Sequence, residues 1–303
     1  MSSAIVINQV LIFSVIMLVG FLARKKGVIT PDITKGLSDV LVNITSPLMI
    51  FTSFQFAYSS DMLRSAGKVL AFSFCIHVFS LLLGMVIYNK YPKPIRTILR
   101  FTTIFSNCGF MGLPLLQGIY GKIGVFYSSI YIAVFNVLLW TVGVVIFTGQ
   151  QRQTNIKRVL LNPNIIAVVL GLTTFLLSIK ISGPLYSGLE LIGGMTTPLS
   201  MLVIGSILAG VRIREMFSGF ALYYGTFVRL LVIPGLTLLI TDLYNLAPIL
   251  QGVCVLSAAA PTASITAIFA EKHHGDSLFA SRIIFFSTVL SLFTLPFFIL
   301  LVG

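Results

Sequence analysis

The chain has 303 residues, 57% of them hydrophobic and 9% charged, with a formal net charge of +12. Soluble domains carry about 25% charged residues, so this composition and a mean hydropathy of +1.03 exclude a soluble enzyme and put most of the chain in a bilayer. The basic excess lies in short loops between apolar runs, which reads as membrane topology and not as nucleic-acid binding.

Apolar runs predict ten membrane-spanning helices, at about 4–23, 37–57, 68–88, 97–118, 124–148, 164–181, 187–210, 218–241, 248–270 and 278–301. The charges of the first run follow it, as in a retained span and unlike a cleaved signal peptide. The second run carries Asn43 and is interrupted by Thr45-Ser46-Pro47. The fourth contains Asn107, Cys108, Gly109, Gly112 and Pro114. Proline lacks a backbone donor, and an unsatisfied carbonyl is costly in hydrocarbon, so such a span is expected to be broken where it lines a polar cavity. The ninth repeats the pattern, with Pro261 among Ala260, Thr262 and Ser264. Paired interrupted spans in corresponding halves are the sequence mark of a secondary-transporter site.

Alternate loops divide the basic residues unequally. One set holds Arg24, Lys25, Lys26, Lys35, Lys90, Lys93, Arg96, Arg100, Arg152, Lys157, Arg158, Arg212, Arg214, Lys272 and Arg282; the other holds Arg64, Lys68, Lys122 and Lys180. The positive-inside rule then puts both termini outside the cytoplasm of a multi-pass plasma-membrane protein. The polar segment 149–161 is a cytoplasmic hinge too short to be a domain.

The halves 1–150 and 151–303 read as two five-helix repeats. Ile44-Thr45-Ser46-Pro47-Leu48 resembles Met195-Thr196-Thr197-Pro198-Leu199, Pro94 corresponds to Pro248, Asn107 to Pro261 and Gly121 to Gly275. An odd number of spans per half makes the second repeat inverted. The expected fold is therefore an all-α polytopic membrane protein of ten transmembrane helices in two inverted five-helix repeats, with broken helices 4 and 9.

Three features are candidates for chemistry. Asn107 can donate and accept at once, facing a solute or capping a half-helix. Half-helix N-termini at 107–109 and 260–262, with Thr262 and Ser264 nearby, favour an anion without any Lys or Arg. Arg229 sits mid-span, and the corresponding position in the first half is His77. An ionisable residue at that depth either serves function or pins helices through backbone carbonyls.

Acidic residues within the spans are limited to Asp39 and Glu190, which argues against a paired-carboxylate sodium or proton site. Glu271, His273, His274 and Asp276 read as a solvated loop, and Cys75, Cys108 and Cys254 as apolar filler. No metal or cofactor is expected. Hydrolase, nucleotide and metalloprotease motifs are absent, so an enzyme is not expected either. A channel would show a continuous polar stripe along several spans, and an intramembrane hydrolase a Ser/His or paired-Asp set; here polarity clusters at two breaks.

Residues 105–121, the Asn162-Pro163-Asn164 motif and Ala-Pro-Thr-Ala-Ser-Ile-Thr-Ala-Ile-Phe-Ala-Glu-Lys-His-His-Gly at 260–275 together resemble the auxin efflux carrier family along the whole chain. The Asn-Pro-Asn motif is also what a capped helix with proline in its first turn would show. The resemblance implies a scaffold of spans 1, 2, 6 and 7, often dimeric, and a moving domain of spans 3–5 and 8–10. It implies a crossover at Asn107 and Pro261 and organic-anion substrates, either auxin-type monocarboxylates or dicarboxylates such as malate and malonate. Ser264 and Ile265 stand where the family often has an Asn. A sodium- or proton-coupled symporter of the bile-acid-transporter type is the near alternative, and a channel or sensor the more distant one.

Overall fold

The computed structural model describes residues 3–149, 156–210, 219–273 and 275–302. Arg152, Arg212, Arg214 and His274, used above for topology and for the polar loop, lie outside the described residues. Among the described residues the chain is helical throughout, apart from turns and one isolated antiparallel bridge, Ser106 opposite Thr262.

The first helix, α1 (Ser3–Lys25), ends on Arg24 and Lys25, cations at the negative end of its dipole. α2 (Pro31–Val40) is capped by Thr30, whose side chain accepts from the Ile33 amide, and has Pro31 in its first turn. The helix does not stop around Pro47, where an interruption is expected: it passes through a π-helical turn, Leu41–Thr45, into α3 (Ser46–Ser53), with the linking residues in right-handed helical conformation. α4 (Ser60–Ile87) and α5 (Lys93–Ile104) follow. The helix then stops for residues 105–107, resumes as a π-helical turn at Cys108–Gly112, and continues as α6 (Leu113–Leu138).

The interruption falls at residues 105–107, before Pro114, and the helical run carries on through the proline from the π-helical turn Cys108–Gly112. Gly121 breaks α6 a second time, at φ +61°, a left-handed conformation suited to glycine. A Cβ on Gly124 would lie 2.4 Å from the Leu116 carbonyl oxygen. Eight residues of straight helix span about 12 Å, so the chain folds back here.

α7 (Val144–Thr148), α8 (Ile156–Leu160), α9 (Pro163–Leu176), α10 (Gly183–Gly194), α11 (Thr196–Ala209), α12 (Phe220–Phe227), α13 (Ile233–Leu243), α14 (Pro248–Ala259), α15 (Ile265–Lys272) and α16 (Ser277–Val302) complete the order. Among the described residues, five stretches are long and apolar enough to cross a membrane: Ser60–Ile87, Cys108–Thr148, Gly183–Ala209, Phe220–Leu243 and Ser277–Val302. Pro163–Leu176 and Pro248–Ala259 are shorter apolar helices. The fourth and ninth expected spans are thus each divided by non-helical backbone, whereas the second stays helical from Pro31 to Ser53.

The chain forms two compact units. The first comprises Met1–Gly67, Gly109–Ala133 and Leu160–Val211. In it α1 and α11 pack backbone to backbone: a Cβ on Gly205 would lie 1.9 Å from the Met17 carbonyl oxygen, and one on Gly20 would lie 2.3 Å from that of Leu202. Lipid tails are as apolar as leucine, so close approach at small residues, and not solvent exclusion, holds such helices together. Phe54 packs on Phe126 at 4.7 Å and closes over Gly171.

The second unit comprises Lys68–Cys108, Val134–Val159 and Arg212–Gly303. Its core is aromatic around the end of α5: Phe101 lies 4.7 Å from Phe105 and 5.1 Å from Phe269, and Phe135, Trp140 and Phe147 pack against the same cluster. A second cluster joins Ile98 and Leu99 to Leu222 and Ile283.

Candidate functional site

The second unit holds the place where both interruptions meet. α5 stops at Ile104 and α14 at Ala259, and the extended segments that follow pair antiparallel. The Asn107 amide donates to the Pro261 carbonyl at 2.7 Å, and the Ala263 amide to the Phe105 carbonyl at 3.1 Å. Each break thus supplies the backbone partners that the other lost, which a buried non-helical segment at membrane depth requires. The Thr262 amide is taken up by Ser287 Oγ of α16 at 3.1 Å. Asn107 Nδ2 donates to Ser264 Oγ at 3.4 Å.

This junction is buried and rich in hydroxyls. Asn107 is 5% exposed, and Ser106, Ser257 and Thr262 are buried. The hydroxyls of Ser106, Ser257 and Thr262 have no hydrogen-bond partner among the described residues. The helical runs starting at Cys108 and at Ile265 carry no acidic residue in their first turns.

The two C-terminal ends share one cap. Arg229 projects from a π-helical turn, Val228–Val232, between α12 and α13 and is 1% exposed. Its Nη1 donates to the Thr103 carbonyl at 3.0 Å, its Nε to the Ala260 carbonyl at 3.2 Å, and its Nη2 to the Ala258 carbonyl. One guanidinium therefore caps the C-terminal ends of both α5 and α14. Helix C-termini carry about half a negative charge each, so the single positive charge balances the pair. The π-helical turn that carries it widens the helix, a local feature frequent at functional sites.

The sequence-predicted residues separate into groups. Asn107, Cys108, Ala260, Pro261, Thr262, Ser264 and Arg229 all belong to the second unit, and Gly109, Gly112 and Pro114 continue from it into the first. His77, on α4, has Nδ1 2.7 Å from the Ser73 carbonyl oxygen and packs near Phe105 and Phe135. Asn43, Pro47, Asn162, Pro163, Asn164 and Pro198 lie in the first unit.

There Asn162 Oδ1 accepts from the Asn164 and Ile165 amides, and Pro163 sits in the first turn of α9: the motif is a helix cap. Asn164 Oδ1 accepts from Ser46 Oγ at 3.0 Å, tying the start of α9 to the first residue of α3. Asn43 is exposed and bonds back to the Asp39 carbonyl. Pro198 stands in the first turn of α11. Pro47 and Pro163 line a cavity of about 380 Å³ with Phe51, Ile166, Leu170 and Leu189; its lining is apolar and offers nothing to an anion.

Ser106 and Ser287 were not singled out by sequence. Ser106 adjoins Asn107 and was legible as part of the same polar step. Ser287 lies 25 positions from its partner inside an apolar run and gave no signal.

The chain matches the family model described as membrane transport protein over residues 5–158 and 152–299. It is 27% identical over 298 residues to an uncharacterized transporter of Methanothermobacter thermautotrophicus, covering 95% of this chain and 96% of that protein. It is 23% identical over 299 residues to an uncharacterized transporter of Methanocaldococcus jannaschii, covering 94% and 95%. With two broken helices pinned together in a strongly apolar chain and a family match along nearly its full length, the chain belongs to the membrane transport protein family, that of the auxin efflux carriers, and is an integral, multi-pass membrane transporter.

Proposed function

We propose that this transporter is a secondary carrier of a small organic anion, an auxin-like monocarboxylate or a malate- or malonate-like dicarboxylate. The observation that carries this reading is the unequal treatment of the helix ends at the junction. Both C-terminal ends are neutralised by Arg229, while the runs beginning at Cys108 and Ile265 start beside Asn107, Ser264 and Thr262 with no acidic side chain in their first turns. An anion is the natural complement of such N-terminal ends. Asn107 Nδ2 and the unpartnered Ser106 and Thr262 hydroxyls are its further donors.

The carrier reading extends to architecture. Ten spans in two inverted repeats, termini outside the cytoplasm of the plasma membrane, and a homodimer through spans 1, 2, 6 and 7 are the arrangement we assign. The composition of the two units supports an elevator-type movement: the second gathers spans 3, 8, 9 and 10 with the start of 4 and the end of 5, and the first gathers spans 1, 2, 6 and 7 together with Gly109–Ala133, the end of 4 and the start of 5.

The test is charge movement across proteoliposomes of the purified chain, challenged with mono- and dicarboxylates with and without a pH gradient. A saturable current for one anion class names the solute. Folded protein that responds to no carboxylate overturns the reading.

A further inference from the structure

The cage that holds Arg229 has the chemistry of a cation site. Three carbonyl oxygens, of Thr103, Ala258 and Ala260, converge from the C-terminal ends of two half-helices onto one positive group. In secondary transporters, C-terminal half-helix ends and unwound carbonyls coordinate the coupling cation. Here the positive group is covalently attached and 1% exposed.

We propose that Arg229 is a tethered cation that permanently fills this cage, so that the carrier needs no sodium to assemble its crossover or to bind its solute. The charge balance supports this. Two helix C-termini at about −0.5 each are matched by one guanidinium, and a further monovalent cation at the same place would meet like charge in a low-dielectric site. The donor geometry supports it as well: arginine presents its donors in a planar fork that reaches all three carbonyls, so one side chain fills the cage at every sodium concentration. The consequence for solute binding rests on the carrier reading above; the cage itself does not.

The full chain, purified in detergent, tests the proposal without any solute. Its unfolding temperature is measured in sodium chloride and in choline chloride of equal ionic strength, and the two are expected to coincide. Arg229→Ala is expected to unfold several degrees lower and to recover part of that loss when guanidinium chloride is added at millimolar concentration, with no recovery in choline chloride. A ligand that binds only the folded state stabilises by mass action, so the recovery should saturate.

A wild-type protein stabilised by sodium over choline overturns the proposal. So does an Arg229→Ala protein that neither salt restores, or that both restore equally. If Arg229→Ala does not fold, Arg229→Lys serves in its place: it keeps a positive charge that fits the cage less well, so it is expected to unfold below wild type and to gain nothing from guanidinium or sodium over choline, and stabilisation of this variant by sodium overturns the proposal. Sodium-independent stability in a protein that moves no anion would sink the carrier reading and leave the tethered cation standing.

Discussion

The Asn107 amide donates to the Pro261 carbonyl at 2.7 Å across 154 positions of sequence. The Ala263 amide donates to the Phe105 carbonyl, and the bridged pair Ser106 and Thr262 lies between these two bonds. Arg229 caps the C-terminal ends of both helices that lead into this pairing, whereas His77 turns its Nδ1 to the Ser73 carbonyl on its own helix.

Asn107→Ala separates the backbone role from the side-chain role. The bridge uses the main-chain N–H and survives, and the lost side-chain bond to Ser264 costs about 1 kcal/mol or less. Transport is expected to fall at least about tenfold, the equivalent of ~1.4 kcal/mol of lost solute interaction, with the unfolding temperature little changed. Proteoliposome flux alongside thermal unfolding checks it. Full transport in a folded variant removes this amide from the binding site.

Asn107→Asp is the sharper variant. It keeps size and acceptor capacity and adds a negative charge beside the helix N-terminus that we assign to the anion. The half-helix is expected to tolerate the charge, because an acidic residue suits an N-terminus by ~0.3–1 kcal/mol. Anion transport is expected to be abolished by repulsion. Competition binding with the carboxylate identified by the current assay measures this, and affinity equal to wild type contradicts it.

Ser287→Ala tests how the junction is supported from α16. Ser287 Oγ is the acceptor of the Thr262 amide, in a fully buried setting. Removing it leaves a buried N–H unsatisfied at a cost of ~1–3 kcal/mol. Lower thermal stability is expected, with faster hydrogen exchange at 262. A variant as stable as wild type shows that another acceptor takes over.

Much of the architecture was legible because the physics is local. Proline, glycine and asparagine in an apolar run announce an interruption wherever hydrocarbon surrounds it, and Asn107 and Pro261 both stand in one. The Asn162 cap follows from the same local chemistry. What was not legible depends on pairing at a distance. Nothing in the run around Ser287 shows that its hydroxyl serves an amide 25 residues away, and nothing near Arg229 indicates carbonyls at Thr103 and Ala260. Pro114 misleads as well: the helical run from Cys108 carries through it by way of a π-helical turn, so the break lies at residues 105–107 and not at the proline.

Glycine substitutions in the first unit should differ sharply by position. Gly205→Ala places a methyl group 1.9 Å from the Met17 carbonyl oxygen and must push α1 and α11 apart, at ~1–3 kcal/mol or more. Gly188→Ala, on α10, meets nothing within 4 Å and is expected to be neutral or slightly stabilising. Thermal unfolding of the two variants side by side decides it. Equal stability would mean that α1 and α11 do not pack at Gly205.

Arg229→Gln and Lys180→Gln remove the same charge at different depths. Lys180 is exposed in the loop between α9 and α10, and its loss should change stability by less than about 0.5 kcal/mol. Arg229 is buried, and its guanidinium serves three carbonyls from two helix ends. A glutamine amide replaces at most two of those donors and none of the charge. Hydrogen bonds from charged groups contribute ~1.5–3 kcal/mol each, so Arg229→Gln should cost at least ~3 kcal/mol and abolish transport, while Lys180→Gln keeps both. Because the loss acts through the C-terminal ends of α5 and α14, added guanidinium should restore Arg229→Gln less than Arg229→Ala, the glutamine side chain still occupying part of the cage. Equal losses for Arg229→Gln and Lys180→Gln would show that the cage contributes nothing to the crossover.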